Sequence, residues 1–238
     1  MIAALVEGTP VTLEQVAGRM AALRRGPRGD LLPADGTTEG RQLRRWVVQL
    51  LVAERVVAAE AARRGLRPWA GPPMELSATA RLELGSVMAA VLSGDRLAQA
   101  VYRDLTAGVT VAEEDVRRYY AANPDRYRPG PARAVTHWRD GVAAEYEVTR
   151  AELVPEAVFQ AAEGEHVAHG DEVFVVGAYT RRDLSLAEAA PRIRATLLDA
   201  ARRRRFALWA DARCAAAVLT PGYEHPGDIS HPDHTHRH

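Results

Sequence analysis

Helical periodicity fills the first half of this chain, stops near residue 125 and returns at residue 185, and that interruption limits the possible folds more than any other feature. In "TLEQVAGRMAALRR" the apolar Leu13, Val16, Met20 and Leu23 recur at helical spacing, with Thr12 placed to cap the helix and Gly26-Pro27 to stop it. Residues 26 to 40, rich in Gly, Pro and Asp, read as a mobile loop. A longer helix is expected from about Glu39 to Arg64, where Leu43, Trp46, Val47, Leu50, Leu51, Glu54 and Val57 set the period and Gly65 serves as C-cap. Ser77 opens a third helix that runs through Leu82, Val87, Val91, Leu97 and Val101 to about Leu105, with Gly94 able to bend or interrupt it. A fourth begins in "TVAEEDVRRYYAANP": Thr110 is the candidate N-cap, three acidic residues favour the positive end of the helix dipole, and Asn123-Pro124 ends it.

The interruption has strand character. "ARAVTHWRDGVAAEYEVTRAEL" holds two β-prone runs around Asp140-Gly141, a hairpin dipeptide, and "EVFVVGAYT" follows a Gly170-Asp171 turn. From Ser185 a long helix is expected, with Pro191 either in its first turns or separating a short leading turn from the long helix. At the other end, Ile2 to Val6 form a strand too short to stand alone, so we expect it to pair with a terminal strand in "AAAVLT", Ala215 to Thr220. The fold class read from this pattern is mainly α (α+β). A helical domain of residues 1–127 plus 181–221 is closed by both chain ends, residues 128–180 form a β-containing insertion, and residues 222–238 are a His-rich tail.

Charge and composition exclude several functions. All 31 basic residues are Arg and 31 acidic residues balance them, so no global field favours nucleic acid or an acidic membrane surface. The run Arg202 to Arg205, flanked by apolar residues, reads as a solvated helical face. No stretch of about 20 apolar residues occurs, and the amino terminus lacks a basic segment leading into an apolar one, so no membrane association and a cytoplasmic location are expected. The lone Cys214 reads as a small buried hydrophobe. Walker, dinucleotide-binding, nucleophile-elbow and HExxH motifs are all missing.

Five of the eight histidines fall in the last fourteen residues. His234, His236 and His238 alternate, which puts their imidazoles on one side of an extended chain, and His225 and His231 can fold back across the intervening prolines. With Glu224, Asp228 and Asp233 as oxygen donors, this set suits Zn²⁺, Ni²⁺ or Cu²⁺. The "EHVAH" pair, His166 and His169, would share a helical face, but the flanking Gly164 and Gly170 favour a loop, and a third ligand is lacking.

In order, the elements resemble those of parvulin-type foldases and the SurA-like and PrsA-like chaperones. "ALVEGTPVTLEQV" resembles the family's opening strand, turn and helix, and "LRRWVVQLLVAERVVAAEAARRGL" its long helix. "VTVAEEDVRRYYAANPDRYRPGPARAVTHW" resembles the entry into a parvulin domain, "AAEGEHVAHGDEVFVVGAY" its late strand region, and "LAEAAPRIRATLLDAARRRRFALW" the closing helix. The resemblance covers most of residues 2 to 219. It implies a SurA-like helical domain with an inserted parvulin unit, but only about thirty residues follow His137 before "AEGEHV", too few for the usual parvulin helices and glycine-rich loop. His137 resembles the family's first-strand histidine, and Glu172 stands where the second is expected.

These readings together predict a chaperone or enzyme-maturation partner that binds a protein or peptide client, such as an immature metalloenzyme, and carries a transition metal on its tail. Trp46, Leu50, Val91 and Tyr119 are the client-binding candidates, and no residue is assigned to catalysis. Two alternatives stay open: an active peptidyl-prolyl isomerase using His137, and a metal carrier or sensor without chaperone activity.

Overall fold

The structure, a computed structural model, describes residues 1–127, 130–149, 154–181 and 183–223. The chain divides into two compact units: Met1–Val109 with the chain from Asp199 onward, and Thr110–Leu198. The expected boundaries at 128 and 180 both fall inside the second unit, because helices before and after the strands build a core there.

The first unit opens with β1 (Ile2–Val6) and β2 (Thr9–Thr12), joined by Glu7 and Gly8, both at positive φ, as a two-residue hairpin turn requires. Thr12 and Gln15 form a reciprocal capping box at the start of α1 (Leu13–Arg25). The following loop is held rather than free, because Arg24 bonds the Pro33 carbonyl and the Asp35 carboxylate (3.1 and 2.8 Å). Helix α2 (Thr38–Arg64) starts on a Thr37 cap and ends on Gly65 at φ 64°. Its two apolar faces serve two cores. Val47, Val48, Val52 and Val56 pack with β1 and α1, while Leu50, Ala53, Val57 and Ala61 pack with the helices that follow.

The helix expected over 77–105 is interrupted after Gly94, as that glycine allowed, and is also kinked at Gly85. Within α3 (Ala78–Gly94), Gly85 has φ 74°, ψ 161°, a conformation essentially restricted to glycine, so the helix kinks there. At Asp95 the extended backbone ends α3 and the carboxylate caps α4 (Arg96–Thr106) through the Leu97 N–H (2.7 Å). At the end of the chain, β7 (Val218–Leu219) pairs with β1, giving the sheet order β2-β1-β7, and Thr220 adds bonds to the Ala3 and Ile2 carbonyls. Both chain ends therefore close this unit, as the short first strand demanded.

In the second unit, α5 (Glu113–Ala122) starts at Ala112 with no side-chain cap, not at Thr110. Val111 is already packed against the unit's helical core, so the helix begins after it, with Glu113, Glu114 and Asp115 in its first turn. Val116, Tyr127 of the short α6 (Pro124–Tyr127), Ala189 and Ile193 form that core. A four-stranded antiparallel sheet has the order β4-β3-β6-β5. It comprises β3 (Ala132–Arg139), β4 (Val142–Thr149), β5 (His166–His169) and β6 (Glu172–Arg181). Its core, Val135, Val148, Phe174 and Val176, is covered by Val158 and Phe159 of the short α7 (Ala157–Gln160). The last helix, α8 (Leu186–Ala215), contains Pro191 in its second turn and supplies residues to both units.

Candidate functional site

His137 lies on β3 with its side chain largely covered, stacked on Phe174 of the neighbouring β6 (centroids 4.5 Å apart, planes 6° apart). Its Nδ1 is 3.0 Å from the Tyr146 hydroxyl, and its Nε2 makes an ion-pair contact, rather than an aligned hydrogen bond, 3.2 Å from Glu172 Oε2. Arg139 approaches the other Glu172 oxygen at 3.1 Å. The alternation of strand side chains puts 137, 139, 172 and 174 on one face, so the register of β3 with β6 assembles this group. Glu172, where the resemblance led us to look for a second histidine, thus occupies the imidazole and binds an arginine besides. The arrangement gathers Tyr146, His137, Glu172 and Arg139 around one imidazole-carboxylate contact.

Two other histidine expectations concern the "EHVAH" pair and the tail. His166 and His169 lie on a strand, not a helix, and at i and i+3 on a strand they face opposite sides of the sheet, so they cannot chelate one ion. His225, His231, His234, His236 and His238 fall outside the described residues. Among the described residues no group of three or more His, Cys, Asp or Glu side chains is placed to hold a metal. Cys214 is partly buried, and burial, with Asp211 nearby, pushes its thiol up to about 11.

Of the four client-binding candidates, Trp46, Leu50 and Val91 lie in the first unit and Tyr119 in the second. Leu50 and Val91 are 5 % and 2 % exposed and belong to the core shared by α2, α3, α4 and α8, so they are corrected to structural residues. Their helical period reported burial. Trp46 is half-buried against both cores of the first unit and donates its Nε1–H to Ser86 Oγ (3.2 Å). Tyr119 belongs to the second unit, packed edge-on against Tyr127, with its hydroxyl accepting from Arg126.

What the helical unit does offer is a groove of about 560 Å³ beside the Gly85 kink. Leu84, Val87 and Met88 of α3 form one wall, and Ala210 and Cys214 of α8 form the other, with Leu219 of β7 alongside. Gln49 of α2 borders the groove, and its Nε2 is buried without a hydrogen-bond partner among the described residues. Ser86 and the exposed Asp211 line it as well, so the groove combines apolar side chains with a carboxylate and an unpaired donor.

Comparison with known proteins adds little. A family model described as a family of unknown function (DUF7158) matches residues 2–39, from β1 to the start of α2. No curated protein matches the chain. Two solved structures come from a study of the virulence factor PEB4 and the periplasmic protein Cj1289, structurally related SurA-like chaperones of the human pathogen Campylobacter jejuni. One has a TM-score of 0.45 at 8 % identity, and the other 0.36 at 13 %. In both cases 92 % of this chain and 99 % of the other is covered. At scores below 0.5 the likeness assigns neither family nor activity.

Proposed function

We propose that this protein is a chaperone-like client-binding protein that holds an extended polypeptide segment in the groove of its helical unit, and that it lacks peptidyl-prolyl isomerase activity. The groove beside Gly85 is the observation that carries this reading. Its walls suit apolar client side chains, and a client carbonyl gives the buried Gln49 amide the partner it lacks. The order of sequence motifs, which resembles SurA-like chaperones, supports the same class. Against isomerase chemistry stand the short span that follows His137 and the presence of Glu172 where a second histidine was expected. The His-rich tail, as a second part of the proposal, binds a transition metal through its imidazoles.

Suppression of aggregation of a thermally unfolding test protein checks the client-binding part. The wild type is expected to suppress it and Val87→Glu, which replaces an apolar wall side chain with a second carboxylate beside Asp211, to lose most of that effect while keeping its helical circular dichroism. Equal suppression by both, or none by the wild type, rejects the groove. A proline-peptide assay should return the uncatalysed rate, and acceleration abolished by His137→Ala would restore the isomerase reading. Calorimetry with Zn²⁺, Ni²⁺ and Cu²⁺ on the full chain and on a chain ending at Gly222 tests the tail, which plays no part if affinity is equal in both or undetectable.

A further inference from the structure

A second cavity of the helical unit, about 470 Å³, is built from three elements: the loop between α2 and α3, the face of α4 carrying Tyr102, Arg103 and Thr106, and one turn of α8 carrying Asp199, Arg202 and Arg203. The loop is fixed in place. The Trp69 N–H donates to the Arg96 carbonyl (2.9 Å), its indole N–H donates to the Pro72 carbonyl (3.1 Å), and Arg96 donates to the Gly71 carbonyl. A Cβ at Gly71 would lie 2.4 Å from the Trp69 ring, so only glycine lets the indole fold down there. Trp69 in turn stacks under the Arg103 guanidinium, 3.9 Å from ring centroid to Cζ, and holds this cation at the cavity.

The charges are arranged unequally. Arg203 is neutralised by Glu83, whereas Arg103 and Arg202 have no carboxylate partner among the described residues. Arg202 Nε is buried with no hydrogen-bond partner among those residues, a position that costs stability unless something accepts from it. Asp199 and Glu75, both exposed, also line the cavity. Burial, and after it the charge of Asp199, keep the Tyr102 hydroxyl protonated to higher pH than usual, so it remains a donor. Met74, Leu76 and Ala80 supply apolar wall. An anion fits against Arg202 and Arg103, while the exposed carboxylates disfavour a phosphate dianion.

We propose that this cavity binds a monocarboxylate carried on an apolar body, held by Arg202 and Arg103 with Tyr102 donating. The site is separate from the client groove and stands whether or not that groove binds a client. Two sources share this chemistry: a small organic acid and the free C-terminus of a peptide.

Calorimetric titration of the full chain distinguishes them. The probes are N-acetylphenylalanine and its amide, a hexapeptide ending in Leu-Phe as free acid and as amide, and inorganic phosphate. At least one free acid is expected to bind ten-fold or more tightly than its amide and than phosphate. If the small acid matches the peptide acid the ligand class is an organic acid, and if only the peptide acid binds it is a peptide terminus. Arg202→Gln should weaken acid binding at least ten-fold. If that variant fails to fold, Arg103→Gln, at an exposed position, should weaken it several-fold. Equal binding of acid and amide, phosphate binding as tight as the acids, no binding of any acid, or unchanged affinity in the folded variants overturns the proposal.

Discussion

Replacing Glu60 with Gln should destabilise the helical unit by about 2 kcal/mol at neutral pH. Glu60 lies near the end of α2 and is 4 % exposed, yet it carries a carboxylate. Arg63 Nη2 donates to one of its oxygens and Arg64 Nε to the other (2.5 Å). The same two arginines reach outward, Arg63 to Glu7 of the β1–β2 turn (2.8 Å) and Arg64 to Asp104 of α4 (2.7 Å), so one buried group ties three elements together. Removing one partner of a fully buried ion pair costs about 3–5 kcal/mol because a buried charge is left alone. Here the arginines are 42 % and 40 % exposed and keep their outer carboxylates, so the loss is nearer that of two partly screened charge-assisted bonds, about 2 kcal/mol. Burial alone would raise the Glu60 pKa, but the hydrogen bonds from Arg64 and Arg63 outweigh it and hold the carboxyl below its usual range. Because the folded value is the lower one, the contribution is complete above the unfolded value near 4.5 and fades as pH falls through the folded value. Urea unfolding of wild type and Glu60→Gln at pH 7 and at stepwise lower pH measures this directly. A difference under about 0.5 kcal/mol at pH 7, or one that does not shrink below pH 4.5, refutes the reasoning.

Arg133 is 3 % exposed and makes four hydrogen bonds to the carbonyls of Gly177, Val158 and Ala161, so Arg133→Met should cost the second unit roughly 3 kcal/mol in urea unfolding, and Lys should not rescue it. At Gly85 a Cβ meets nothing within 4 Å, so Gly85→Ala should cost only the backbone strain of its positive φ, about 1–3 kcal/mol, measured by the same method. With its thiol pushed up to about 11, Cys214 should react with iodoacetamide at pH 8 roughly 100-fold more slowly than a peptide cysteine. Its raised folded value means that its contribution to stability is full below about pH 9 and falls as pH rises toward 11, a slope that Cys214→Ala should remove.

Long periodic segments were legible in the sequence because their period reports a buried face: α2 begins one residue before its expected start and ends as expected, and the Asp140-Gly141 hairpin forms with both residues at positive φ. The closure of β1 by β7 followed from the shortness of the first strand. The kink at Gly85 escaped notice because Leu82, Val87 and Val91 continue the helical pattern across it, and backbone conformation at a glycine leaves no mark on that pattern. Strand β5, with three of its four residues exposed, owes its existence to pairing with β6 and has little signal of its own. For the candidate site the same limit applied more strongly. Helical period marked Leu50 and Val91, but it marks residues facing the core; Leu84, Met88 and Ala210 of the groove belong to that same core, and the half-buried Val87, Cys214 and Leu219 are apolar side chains left partly open. His137 was found, while its partners Tyr146 and Phe174, and the Arg139 that binds Glu172, depend on sheet register.

The most direct measurement of the client-binding account is site-specific photo-crosslinking to a permanently unfolded polypeptide, such as reduced and carboxymethylated α-lactalbumin. A benzoylphenylalanine at Val87, in the groove wall, is compared with one at the exposed Ala58 of α2, outside the groove. The account predicts strong crosslinking from position 87, competed away by unlabelled client, and little from position 58. Equal crosslinking at the two positions, or none at 87, contradicts it.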